Sequence, residues 1–140
     1  VTHAYIGTKI ITAWPESRPN GEGYAVTYPD GYTSWSPKAT FEEAYRVVEG
    51  DDQKLSFGDA LVFLKAGRRV SRGAWPASVF VYHVAADAYI ARSEVAKTHF
   101  GDGALVPYKA YLAIKQADNE VCVFVPGMDS LLAEDWRVVA

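Results

Sequence analysis

The sequence contains one cysteine, Cys122, in 140 residues. An internal disulfide framework is therefore excluded, which fits a reducing compartment. Cys122 lies in the apolar run 121–125 and is expected to be a buried small hydrophobe. The three histidines, His3, His83 and His99, are scattered and share no ligand spacing with Cys122, so no metal site is expected. His83, inside an apolar stretch, reads as a core or rim residue rather than a base. No apolar run approaches the ~20 residues of a membrane span, and the first residues show no signal-type segment, so a soluble intracellular protein is expected. Cations are also in deficit, with 14 against 17 acidic residues and a net charge of −3. That balance argues against a partner that is a nucleic-acid polymer, but leaves room for a small basic pocket. Catalytic motifs are missing too. There is no Gly-x-Ser-x-Gly elbow, no His-Glu-x-x-His helix and no phosphate loop. Glu134-Asp135 is an adjacent acid pair, which on a strand would point to opposite faces and form no shared acid/base site. The expectation is a protein that is not an enzyme, with no catalytic residues and no cofactor.

Aromatic residues, by contrast, are plentiful, with four Trp, nine Tyr and six Phe. They suit both a core and stacking surfaces for rings. Residues 5–14 (YIGTKIITAW) read as a strand. Residues 23–28 (GYAVTY) and 32–35 read as a hairpin around the turn Pro29-Asp30-Gly31. Thr40-x-x-Glu43 is a capping box that predicts a helix to about Val48. The polar stretch 49–54 (EGDDQK) is the candidate boundary, which divides the chain into a small β-β-β-α extension (1–50) and a larger domain (54–140). In the latter, residues 78–85 read as a strand, with residues 108–115 and 120–125 as a hairpin about Ala117-Asp118-Asn119. A short helical turn over 129–134 and a closing strand over 136–139 follow. The fold class is α+β, mostly antiparallel sheet with short helices.

Residues 56–75 (SFGDALVFLKAGRRVSRGAW) carry the most information. Ser56 with Asp59 predicts a capped helix, Phe57, Ala60, Leu61 and Leu64 its buried stripe, and Gly67 its stop. Lys65, Arg68 and Arg69 suit a solvated helix end. The chain is then expected to turn through residues 70–73. Arg72 stands beside Trp75, and a guanidinium makes forked bonds to phosphate oxygens while an indole offers a face to a base. Trp75 reads equally as core or as a ligand platform; Trp136 reads as core.

The pattern Phe57-Gly58-x-Ala60-Leu61-x-x-Leu64-Lys65-x-Gly67-x-x-Val70-x-Arg72-x-x-Trp75, with Leu131-Leu132-Ala133-Glu134-Asp135-Trp136-x-Val138-Val139, resembles the Thoeris anti-defence protein 2 family of phages. The resemblance runs from about Leu55 to Val139. The first fifty residues look like an extension found on small phage proteins. The resemblance implies a molecular sponge. Such a protein sequesters, without cleaving, the cyclic ADP-ribose-type signal (glyco-cyclic ADP-ribose) made by Thoeris TIR proteins. It would act in the cytoplasm of the infected bacterial host, as a homotetramer with pockets at subunit interfaces. Alternatives are a sponge for the cyclic dinucleotides of CBASS defence, in the same or a separate pocket, or a virion structural protein. For a diphosphate-bearing nucleotide, Arg72, Arg92 and Lys109 are candidates for the phosphates, and Trp75, Tyr108 and Phe124 for the base. Asp129 and Ser130 are candidates for ribose hydroxyls or a base edge. The chain departs from the family pattern at Ala74-Trp75-Pro76-Ala77, Val123-Phe124 and residues 127–130.

Overall fold

Turn chemistry sets the first three strands. Gly31 takes φ 89°, and its N–H donates to the Tyr28 carbonyl at 2.9 Å. The Asp30 carboxylate accepts the Tyr32 N–H at 3.0 Å, the reason Asp-Gly suits such a turn. The computed structural model describes residues 1–140 and divides into two units, residues 1–46 and 47–140.

In the first unit, β1 (Thr12–Pro15), β2 (Gly23–Thr27) and β3 (Thr33–Pro37) form an antiparallel sheet in that order. The strand expected over residues 5–14 is realised only from Thr12. Thr12 pairs with Thr27, the last residue of β2, so earlier residues run past the end of their partner. Helix α1 (Lys38–Ala44) starts directly after β3 with Pro37 as N-cap, and no side chain caps it. The expected Thr40–Glu43 capping box is not used. Pro37, with φ −57°, passes the chain from strand into helix, and Thr40 already lies within the first turn. The helix also ends earlier than expected, at Ala44, with Tyr45 extended. Phe41 stacks between Tyr24 (4.1 Å) and Tyr45 (5.0 Å), and this stack holds α1 on one face of the sheet.

The second unit is built on a five-stranded antiparallel sheet. Its strands are β4 (Arg69–Arg72), β5 (Phe80–Val84), β8 (Tyr111–Lys115), β9 (Val121–Val123) and β10 (Trp136–Val139), in the order β10-β4-β5-β8-β9. A separate hairpin pairs β6 (Asp87–Ile90) with β7 (Leu105–Tyr108) around α3 (Glu94–Phe100), and α4 (Met128–Leu131) precedes β10. The fold class is the expected α+β.

Helix α2 (Phe57–Lys65) carries the predicted cap. The Ser56 hydroxyl accepts the Asp59 N–H, and the Asp59 carboxylate accepts the Ser56 N–H, each at 3.1 Å. At its other end Gly67 (φ 86°) donates to Leu64 O and Arg68 to Phe63 O, a Schellman closure. Ala60, Phe63 and Leu64 are buried, with Phe57 and Leu61 at the margin of the core. Phe63 was not part of the predicted stripe.

Several expectations for this unit are corrected. Residues 70–72 form strand rather than turn, because Val70 and Ser71 are both fully buried and the Ser71 hydroxyl donates to Val79 O at 2.6 Å. Within the polar stretch 49–54, one residue packs against β10. Gln53 is buried, its amide nitrogen donating to Val138 O (3.0 Å) and its amide oxygen accepting the Val138 N–H (2.8 Å). Next to it, Leu55 and Trp136 exchange both backbone hydrogen bonds at 3.0 and 3.1 Å. Residues 108–115 are two strands, because Tyr108 pairs with Asp87 while Tyr111 pairs with Val84. Cys122 is exposed, since β9 is an edge strand and Val121 and Val123 beside it are exposed as well. His83 is likewise exposed.

Gly23→Ala should destabilise the first unit by about 1–3 kcal/mol. A Cβ there would lie 2.3 Å from both Ser36 O and a Trp35 ring carbon. Residue-resolved hydrogen exchange should show faster exchange in β2 and unchanged protection in α2.

Candidate functional site

The pairing of β10 with β4 sets Trp136 opposite Arg72, and so joins the two ends of the second unit at one corner. Arg72 ends β4 with its side chain only 14% exposed. Its Nε–H donates to Asp135 Oδ1 at 2.9 Å, one Nη reaches Ser130 Oγ at 3.5 Å, and the same nitrogen lies 3.9 Å from Asp129 Oδ2. Asp135 also accepts the Ala74 N–H at 3.0 Å, and its carbonyl accepts the Gly73 N–H at 2.8 Å. Burial pushes the Asp135 carboxyl up. The bonds from Arg72 and Ala74 and the Arg72 charge outweigh burial and hold the group below its ordinary value.

Trp75 follows in the turn before β5, half-buried, its backbone N–H donating to Arg72 O at 3.1 Å. Its ring meets Trp136 edge-on at 5.3 Å and Phe124 edge-on at 6.0 Å. The Arg72 guanidinium lies 5.8 Å from the Trp75 ring centre. Trp75 is therefore both at the margin of the core and partly open, with its ring plane set by two neighbours and a cation. Trp136 is fully buried, and its indole N–H donates to Ser130 O at 2.8 Å.

Five of the eight residues singled out in the sequence, Arg72, Trp75, Phe124, Asp129 and Ser130, thus meet at this corner. Ser130 is buried and Asp129 is largely exposed. The remaining three lie elsewhere. Arg92 and Tyr108 line a cavity of about 800 Å³ between the β6–β7 hairpin, α3 and the ends of β5 and β8. Tyr89, Tyr111 and Ser93 line it too, over an apolar floor that includes Val84 and Leu105. Tyr89 and Tyr108 stand 5.9 Å apart, centre to centre. Lys109 is exposed in the link between β7 and β8 and does not line this cavity.

Sequence reasoning missed Asp135, which was set aside as half of a split acid pair. It precedes β10 rather than lying within it, so strand alternation does not apply. Only the pairing of the second unit's two ends would have found it. Tyr89 and Tyr111 carried no motif, and their shared cavity depends on the hairpin folding back.

The corner can do two things chemically. Its aromatic edge and rigid guanidinium suit a planar ring bearing a charged group. Its carboxylate already neutralises part of that guanidinium, which limits it to sharing Arg72 rather than surrendering it.

Residues 55–139 match the family described as the Thoeris anti-defense 2-like domain. A curated relative, Thoeris anti-defense 2 of Bacillus phage SP01, is 34% identical over 91 residues, which cover 62% of this chain and 97% of the relative.

Asp135→Ala should cost about 1–3 kcal/mol, because it leaves a mostly buried Arg72 without its carboxylate. Since the folded-state pKa of Asp135 lies below its unfolded value of about 3.9, its contribution is present above that pH and is lost as pH falls through the folded value. Asp135→Asn should therefore flatten the acid limb of the urea midpoint plotted against pH.

Proposed function

This chain belongs to the Thoeris anti-defense 2-like family, and from that premise we propose that it acts as an anti-defence sponge. In this reading it binds the cyclic ADP-ribose-type signal of Thoeris TIR proteins (glyco-cyclic ADP-ribose) and holds it uncleaved in the cytoplasm of the infected host. The observation that carries the reading is the corner at Trp75. An indole is fixed edge-on to two other aromatics and flanked by Arg72, and both of the family's end motifs contribute to it.

A base stacks on the open part of Trp75, while the Arg72 nitrogens not committed to Asp135 take a phosphate oxygen. The Ser130 hydroxyl and the exposed Asp129 carboxylate meet ribose hydroxyls. Capture needs affinity, not a base or nucleophile. Nanomolar binding corresponds to about 12 kcal/mol, within reach of stacked rings and charge-assisted bonds in a closed pocket. A homotetramer would close that pocket. Exposed apolar side chains at Val121, Val123, Val125, Met128 and Leu132 give such an assembly a surface to cover.

A second ligand has its own support. The tyrosine-lined cavity near Arg92 is distinct from the Trp75 corner, and its volume suits a nucleotide-sized molecule. A cyclic dinucleotide of the CBASS type is the reading we attach to it.

The assay is to incubate the protein with the TIR-derived cyclic nucleotide, filter, and heat-denature the retained fraction. Intact ligand should leave solution and return on denaturation. A degraded product would make the protein an enzyme, and ligand that stays in solution would end this assignment. Trp75→Ala should weaken capture at least tenfold with little change in Tm, whereas a large drop in Tm would mark Trp75 as core alone. Arg92→Ala should weaken capture of a cyclic dinucleotide and spare the TIR-derived signal.

A further inference from the structure

The first unit lies outside the family match and has one face of its sheet covered and the other not. Phe41 of α1 stacks on Tyr24, which covers one face. On the opposite face Trp14, Ala25 and Trp35 stand directly across from one another on three neighbouring strands. Two indoles therefore flank a methyl group. Ala25 is only 7% exposed although no helix or strand of this unit lies above it, while Trp14 remains 46% exposed.

The wall at Trp35 is held rigidly. Its indole N–H donates to Glu16 O at 2.8 Å, and its ring sits against Gly23, where a side chain could not fit. The Arg18 guanidinium lies 5.3 Å from its ring centre and is itself tied to the Glu16 carboxylate at 3.1 Å. The recess left between Trp14 and Trp35 has a volume of about 350 Å³. Strands β1 and β3 lie on either side of β2, which sets the two walls about 10 Å apart at their backbones. That admits one ring in depth.

The polar character of the recess narrows its occupant. Its one cation and one carboxylate neutralise each other, so it suits an uncharged ligand. The Trp14 indole N–H and the Thr33 hydroxyl, on the same face, are committed to no bond within the unit. Both can donate, and the indole can only donate. A ligand that is all carbonyl acceptors and saturated rings fits this best. A strand would extend this sheet at an edge and leave the face uncovered, and an amino-bearing nucleobase would bring donors that these two donors cannot meet. Proline-rich peptide in the polyproline II conformation offers carbonyls without N–H groups and a preformed backbone.

We propose that the Trp14–Ala25–Trp35 face of the first unit is a docking site for an uncharged, proline-rich extended peptide. This site is independent of the nucleotide reading, which concerns the other unit.

The test uses the full chain and a synthetic uncharged proline-rich peptide, followed by calorimetry and by the indole N–H signals in NMR. Binding should shift the Trp14 signal and leave that of Trp75 unmoved. Trp14→Ala should weaken binding at least tenfold, and Trp14→Phe, which keeps the wall and loses the donor, should weaken it less. Both variants should keep full capture of the TIR-derived nucleotide, so failure of the nucleotide reading would not be mistaken for failure of this one. Thr33→Arg, which places bulk and charge at the recess without replacing either indole, should also weaken binding and covers the case in which Trp14→Ala unfolds the sheet. No binding at millimolar peptide would overturn the proposal. So would equal affinity for an uncharged proline-free peptide of the same length, or a Trp14 shift produced by free purine nucleotides instead of the peptide.

Discussion

The burial of Trp136 is the constraint on which the second unit depends. An indole of this size removes about 150–250 Å² from water, an upper bound of about 4–6 kcal/mol at ~25 cal/mol per Å². Its one polar atom must then be satisfied, and the Ser130 carbonyl does so. That single bond fixes α4 against the start of β10. The same ring meets Phe57 of α2, Trp75 of the turn after β4 and Phe124 beyond β9. Segments from both ends of the second unit are thus registered against one side chain.

The candidate site is the outer surface of this arrangement. Arg72 lies opposite Trp136 in the ladder and needs a carboxylate because it is mostly buried; Asp135, one residue before Trp136, supplies it. The ion pair that makes Arg72 tolerable also aims its remaining nitrogens toward Ser130 and Asp129. Stability and the geometry of the candidate site therefore rest on the same atoms. The orientation of the guanidinium is set by the fold itself, which would lower the ordering cost for a ligand that used it.

Local signals were legible in the sequence, and pairings between distant segments were not. Ser56, Asp59 and Gly67 announce α2 because caps act within a few residues, and the Pro29-Asp30-Gly31 turn is readable for the same reason. The family resemblance was legible from residues 57–75 and 131–139, and the match over residues 55–139 agrees with it. Thr40 misled because a capping box competes with whatever precedes it, and Pro37 had already started the helix. Cys122 misled because an apolar run does not tell whether its strand lies at the centre or the edge of a sheet. Arg72 and Trp75 meet Asp129 and Ser130 only because β10 pairs with β4, and Phe124 joins them by packing on Trp75 and Trp136. The two that line the tyrosine cavity do so because β6 and β7 form their own hairpin.

Gln53 has a consequence for how the main sheet is bounded. Its side-chain amide presents one donor and one acceptor to Val138, in the manner of a peptide group from a neighbouring strand. With the Leu55–Trp136 exchange beside it, the backbone of β10 finds partners on its outer side without a further full strand. A side chain ends the ladder where a strand would have continued it, because it has no following residue to offer. The sheet is therefore closed on the β10 side and open on the β9 side, where Val121, Cys122 and Val123 lie exposed. Growth of this sheet has a direction: any chain that extends it by backbone pairing must do so along β9, and a second copy meeting it there edge to edge would leave both outer margins already sealed.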